Sequence, residues 1–104
     1  MNLTVAQRVA NGVKYLMDYF GGSVEWLDRI DVDRLDVANS DECVIGQVFG
    51  GYCIWSDNAG IGTEGQRELG FEAVYDRDWL CPSGDDYHAL NQEWTRVLTE
   101  LQEV

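Results

Sequence analysis

The sequence predicts a mainly α-helical fold: a small single-domain bundle of about four helices joined by irregular connectors. Apolar residues recur at helical spacing between Val5 and Phe20, and again between Tyr87 and Leu101. Between these segments, the glycine-containing run 40–52 carries apolar side chains around most of its circumference, so other elements must cover it. We therefore expect a central helix packed by the N-terminal and C-terminal amphipathic helices.

The N-terminal helix is predicted over about Val5–Tyr19. Thr4 and Gln7 have the spacing of a capping box, and two consecutive glycines follow Phe20 to end the helix. Ser23 is expected to cap a short second helix that buries Trp26. The following segment, 30–37, alternates aspartates with apolar residues and fits neither a helix nor a strand well, so we interpret it as an irregular connector.

The central helix is predicted to begin at Ser40, whose hydroxyl can accept a hydrogen bond from the first turn. Two acidic residues follow it, as the positive end of a helix dipole favours. Gly46 and Gly50 lie four residues apart on one face, where we expect the C-terminal helix to approach closely. The apolar run is shorter than the ~20 residues that a membrane-spanning helix needs, so we expect no membrane association.

The remainder of the chain is predicted as shorter elements and one long helix. Residues 56–65 are rich in glycine and polar side chains and are expected to form a mobile loop. A helical turn is expected over 64–69, a short extended piece over 71–75 and a further turn over 76–81. The long C-terminal helix is predicted over about Gly84–Gln102, where the apolar stripe is regular.

The composition of the whole chain limits its function. A chain of 104 residues is the size of one domain, here 1–104, and 45% hydrophobic residues with four tryptophans argue against disorder. A formal charge of −12 repels phosphate and anionic lipid, so we expect no direct nucleic-acid or membrane binding and a partner with basic patches. Three cysteines without a Cys-x-x-Cys spacing and no signal segment favour the cytoplasm.

Residues 43–52 read Cys-Val-Ile-Gly-Gln-Val-Phe-Gly-Gly-Tyr. This run resembles the Cys-Val-Leu-Gly-Gln-Leu-Phe-Gly-x-Tyr signature of small hypothetical proteins encoded by phages of actinobacteria. Flanking features agree: an Ile-Asp-x-Asp-x-Leu-Asp run (30–36), a Leu-Gly-Phe (69–71) and a late Tyr-x-x-Leu-x-x-x-Trp (87–94). The resemblance spans about residues 9–98, with Ile45 and Val48 replacing the usual leucines. It implies a phage origin and one fold, and it transfers no functional residue.

Clustered carboxylates suggest a cation site at Asp31, Asp33 and Asp36, because calcium and magnesium prefer oxygen ligands. An EF-hand loop that starts at Asp31 would need glycine at its sixth position, where this chain has Asp36. We therefore interpret the cluster as a solvated acidic face and expect no metal and no cofactor. His88 is the only histidine and is expected to be partly exposed beside the C-terminal stripe, so an enzymatic function is disfavoured.

The remaining residues that could be functional are the cysteines and the tryptophans. Cys43 and Cys53 are expected to be small buried hydrophobes, and Cys81 a more exposed thiol. Tryptophan serves both cores and binding hot spots. We expect Trp26 and Trp94 in the core. The candidate partner-binding residues lie in or beside predicted loops and are Trp55, Trp79, Asp76 and Asp78. The alternative is that these loops pack onto the core.

Two functions fit these observations. The first is a non-enzymatic protein-binding module that acts on a protein of the host bacterial cytosol. The alternative is a DNA mimic, whose carboxylates would imitate phosphates and occupy the basic groove of a nucleic-acid-binding protein. The sequence leaves the partner and the oligomeric state open.

Overall fold

The structure is a computed structural model that describes residues 3–73 and 84–103. These two ranges contain α-helices and short 3₁₀ helices and no β-strand, which confirms the predicted mainly α fold. The α-helices are α1 (Val5–Tyr19), α2 (Val44–Phe49), α3 (Tyr52–Ala59), α4 (Thr63–Glu68) and α5 (Gly84–Gln102). The 3₁₀ helices are Glu25–Arg29, the first, and Val32–Arg34, the second.

Helix α1 has the predicted bounds because its capping box forms. The Gln7 amide donates to the Thr4 hydroxyl (3.1 Å), and the Thr4 amide donates to the Gln7 side chain (2.8 Å). Its buried face includes Val9 and Leu16, both fully buried. After α1, Gly21 takes a positive φ of 65°, which stops the helix at the predicted place.

Helix α5 packs against α1 and provides the other side of the core. Leu90, Trp94 and Leu98 are completely buried along one stripe, as predicted. The Trp94 indole donates to the Gly70 carbonyl (2.7 Å). A side chain at Gly12 of α1 would lie 2.6 Å from the Trp94 ring, so this glycine allows the close packing of the two helices.

The predicted Ser40 cap is wrong, because the residue that caps the helix lies three positions later. Cys43 is the N-cap of α2, and its sulfur accepts from the Gly46 amide at 3.2 Å. Upstream, the Asn39 side chain accepts from the Asp41 amide (2.9 Å) and the Asn39 carbonyl from the Cys43 amide (2.9 Å). This asparagine turn competes with helix formation and holds residues 39–43 outside the helix.

The expected contact of the glycine face of α2 with the C-terminal helix is also wrong. A side chain at Gly46 would meet the preceding turn, 2.7 Å from the Asp41 carbonyl carbon. Gly50 has open space around it and a φ of 91°, so it ends the helix. Ile45 nevertheless belongs to the same fully buried core as Leu16 and Leu90.

The loop predicted over 56–65 is wrong because most of it is helical. Helices α3 and α4 occupy its two ends, and the buried Gln66 ties them together. The Gln66 side-chain Nε2 donates to the Ser56 hydroxyl (2.9 Å) and to the Ile61 carbonyl (2.8 Å). The predicted turn over 64–69 is confirmed by α4. Of the extended piece predicted over 71–75, residues 71 and 72 lie in a bend, and residues 74–75 lie outside the described residues, as does the turn predicted over 76–81.

Candidate functional site

The predicted partner-binding residues give one correction. Trp55 is only 6% exposed, and its ring contacts Phe49, Tyr52 and Phe71 at centroid distances of 6.4, 5.6 and 5.6 Å. Trp55 is therefore packed as a core residue and exposes too little of its ring to anchor a partner. Trp26 and Trp94 are completely buried, as predicted. The remaining candidates lie outside the described residues: Trp79, Asp76 and Asp78.

The acidic candidates for a cation site act in local turns. Asp31, Asp33 and Asp36 are all exposed. The Asp31 carboxylate accepts from the Asp33 amide, and the Asp36 carboxylate accepts from the Ala38 amide, both at 3.0 Å. Across residues 3–73 and 84–103, no three His, Cys, Asp or Glu side chains group closely enough to hold a metal ion.

The ends of α1 and α2 together form an aromatic surface, which we define as Tyr19, Phe20 and Phe49. The Tyr19 ring lies 4.9 Å from the Phe20 ring and 5.1 Å from the Phe49 ring, both in edge-to-face geometry. Phe20 and Phe49 stack at 5.9 Å. Tyr19 is 59% exposed, so the cluster presents a large ring to solvent.

The Arg29 side chain connects this aromatic surface to the first 3₁₀ helix and to α2. The Arg29 guanidinium lies 5.7 Å from the centroid of Phe20, within the range of a cation–π contact. Arg29 also donates to the Val48 carbonyl (3.1 Å), which links the first 3₁₀ helix to α2. The rings of Phe20 and Phe49 already limit the rotamers of Tyr19. A partner that covers the Tyr19 ring therefore costs less side-chain entropy than one that covers an unrestrained side chain. Tyrosine is common among binding hot spots.

A second surface is strongly acidic. Residues 25–42 contain seven acidic and two basic side chains, and Arg34 pairs with Glu42 at 3.0 Å. The C-terminal end of α5, which has no basic residue in its last turn, reaches this segment. There the Gln102 side chain donates to the Leu27 and Ile30 carbonyls at 3.1 and 3.0 Å. The negative end of the α5 dipole adds to the field of these carboxylates.

Arg8, whose side chain is only 3% exposed, was not among the residues predicted to be functional. It donates to both carboxylate oxygens of Asp86 on α5, at 2.9 and 3.1 Å. It also donates to the Arg67 carbonyl (2.7 Å) and the Glu72 carbonyl (2.8 Å). A signal was present, since position 8 lies four residues before Gly12 on the buried face of α1. Arg8 thus joins α1, α4 and α5.

A cavity of about 120 Å³ lies beside the start of α3, and no sequence pattern predicted it. We call it the Tyr52 cavity. Burial raises the pKa of the Cys43 thiol to about 11, so this thiol is protonated at neutral pH. Burial also raises the pKa of the Tyr52 phenol and, against the opposing charge of Arg67, the pKa of Glu72. Within the described part of the chain, the lining residues are Val37, Ala38, Ser40, Cys43, Tyr52, Phe71, Glu72 and Tyr87.

The other candidate nucleophile and base residues do not join this cavity. His88 is exposed, as predicted, and is not among its lining residues. Cys53, expected to be buried, is exposed, because it lies on the outer face of α3 while Trp55 faces the core. Cys81 lies outside the described residues.

The described helices are each too short or too polar to cross a lipid bilayer. No protein-family model matches the chain, and neither a curated protein nor a solved structure does. What the fold and its surfaces define is therefore a class: a small, acidic, mainly α-helical protein with an exposed aromatic cluster.

Proposed function

We propose that this chain is a non-enzymatic protein-binding module of phage type that engages a protein of the host bacterial cytosol. The aromatic surface is the observation that carries the proposal. Its exposed ring, Tyr19, rests edge-on against two phenylalanines and is the kind of rigid aromatic anchor that binding hot spots use. The raised pKa of the Cys43 thiol argues against Cys43 as a thiolate nucleophile at neutral pH.

The charge of the chain supports a basic partner. At −12, the protein repels acidic partners and speeds its encounter with basic ones. The aromatic surface would then contribute contact area, while the exposed carboxylates steer association and make it sensitive to salt. A complex of this kind weakens with added salt but does not vanish, since the aromatic contact is not ionic.

The test compares three tagged forms of the protein expressed in actinobacterial cells: wild type, Tyr19→Ala and Ile54→Ala. Ile54 is 65% exposed and outside the aromatic surface, so its replacement is a matched loss of exposed apolar area. We expect wild type and Ile54→Ala to retain one dominant partner across several salt concentrations, and Tyr19→Ala to lose it. The proposal would be refuted if wild type retained no partner, or if all three forms retained the same partner equally.

A second candidate function, a DNA mimic, is supported by one observation, the seven acidic side chains within residues 25–42. Six of them are exposed, and the seventh, Glu42, is partly so. A mimic must lose its partner steeply with salt, and duplex DNA must compete for the same site. Asp28→Asn combined with Asp33→Asn should then abolish binding while Tyr19→Ala leaves it intact. The opposite pattern favours the aromatic surface.

A further inference from the structure

Among the residues that the structure describes, those that line the Tyr52 cavity include three aromatic residues and one acidic residue. The aromatic residues are Tyr52, Phe71 and Tyr87, which come from three different parts of the chain, and the acidic residue is Glu72. Aromatic faces attract cations through the negative potential above the ring, and a nearby carboxylate adds to that attraction. This composition is suited to a cation that has an apolar surface of its own.

Two of the walls are held by core contacts. The Tyr52 hydroxyl donates to the side chain of the buried Gln66, and the Tyr52 ring lies 5.6 Å from Trp55. Phe71 stacks on Trp94 at 5.7 Å and meets Trp55 edge-on at 5.6 Å. These walls therefore do not have to be ordered by a ligand, which lowers the entropic cost of binding.

The backbone of Glu72 is also fixed, because its carbonyl accepts from Arg8 at 2.8 Å. Its carboxylate is half-buried, and desolvation raises its pKa although the charge of Arg67 opposes this. A cation in the cavity would compensate for that desolvation. The net charge of −12 also raises the local concentration of cations around the protein.

We propose that the Tyr52 cavity binds a methylated ammonium group, with the rings of Tyr52, Phe71 and Tyr87 around the methyl groups and Glu72 as the counter-ion. A primary ammonium would need acceptors for three N–H donors, whereas a quaternary one has no donor and is satisfied by aromatic faces. The volume of about 120 Å³ is close to the roughly 150 Å³ of a cavity that holds benzene, a molecule of about the size of a trimethylammonium group.

This inference does not depend on the proposed protein partner. The same ammonium group could belong to a free small molecule or to a methylated lysine side chain. The test is an NMR titration of the ¹⁵N-labelled protein with choline, with its neutral analogue in which carbon replaces nitrogen, and with a short peptide carrying trimethyllysine or unmodified lysine. Tighter binding of the trimethyllysine peptide than of choline would identify a side-chain ligand, and the reverse order a free one.

We expect saturable shifts of amides around the cavity with choline and at least about tenfold weaker binding of the neutral analogue. Glu72→Gln should weaken choline binding about tenfold, whereas Glu68→Gln, an identical charge change at an exposed site, should not. Tyr87→Phe keeps the ring and should keep binding, and Tyr87→Leu should weaken it.

Three results would overturn the inference. They are the absence of saturable shifts with choline, equal binding of choline and its neutral analogue, and equal effects of Glu72→Gln and Glu68→Gln. Because Glu72→Gln preserves shape, and Tyr87→Phe preserves the ring, a loss of binding can be separated from a loss of folding by comparing the variants' amide spectra. These results leave the test at Tyr19 unaffected.

Discussion

Replacement of Arg8 by methionine should strongly destabilise the protein. The guanidinium is 3% exposed and bidentate on Asp86, whose side chain is 14% exposed, and it also serves two backbone carbonyls. Breaking a buried pair by removing one partner costs about 3–5 kcal/mol. Since Asp86 keeps some access to water, we expect a loss near the lower end, about 3 kcal/mol, a large share of the roughly 5–15 kcal/mol that stabilises a domain.

The measurement is urea unfolding followed by tryptophan fluorescence, with thermal unfolding as a second readout. A loss of about 3 kcal/mol corresponds to a fall in Tm on the order of 15–20 °C for a domain of this size. Arg8→Lys keeps the charge but loses the planar fork, so it should still destabilise, although less than methionine. Arg8→Met combined with Asp86→Asn should recover part of the loss, because no carboxylate then lacks its guanidinium.

The matched control is Arg96→Met on α5. Arg96 pairs with Glu93 (2.7 Å) and Glu100 (2.9 Å), but its side chain is 56% exposed. Water screens such surface pairs, so this variant should unfold almost like wild type. If Arg8→Met were no less stable than Arg96→Met, the assignment of Arg8 as the link between α1, α4 and α5 would be refuted.

Three further predictions concern packing, thiol reactivity and pH. Gly12→Ala should cost about 2 kcal/mol or more in urea unfolding, because its methyl group would overlap the Leu69 carbonyl and the Trp94 ring, whereas Gly65→Ala should cost less, because only the Ile61 γ2 methyl lies close and alanine favours the helix; equal effects would contradict this. In the native protein at pH 8, alkylation with peptide mapping should find Cys53 modified and Cys43, with its pKa near 11, protected until unfolding; equal rates would refute the burial of Cys43. Burial raises the folded pKa of Glu72, so wild type should lose stability relative to Glu72→Gln as pH rises from about 4 through that pKa, and parallel pH profiles would contradict it.

The two long helices could be predicted because their signals are local. A capping box, a glycine stop and a regular apolar stripe each depend on residues within a few turns, and the structure places α1 and α5 where those signals indicated. The burial of Trp94 follows from the same stripe. The start of α2 was missed because Ser40 and Asn39 are both good turn formers, and only the folded chain decides which of them acts.

The candidate surfaces could not be predicted because they depend on contacts between distant parts of the chain. The aromatic surface joins the end of α1 to the end of α2, and the Tyr52 cavity joins α3 to a residue of α5. The run 56–65 looked like a loop from its glycines, yet the buried Gln66 bonds to Ser56 and Ile61 and so supports helices on both sides. No local pattern marks a glutamine as such a link.

Trp55 connects the two candidate sites, although not in the way its sequence position suggested. Its ring stacks on Phe49 of the aromatic surface and also contacts Tyr52 and Phe71, two walls of the cavity. Removing this ring would disturb both sites and the core together, so a Trp55 variant that lost binding would not show which site was responsible. Tyr19 and Glu72 each belong to only one site. Substitutions at these two residues can therefore assign partner binding and ammonium binding separately.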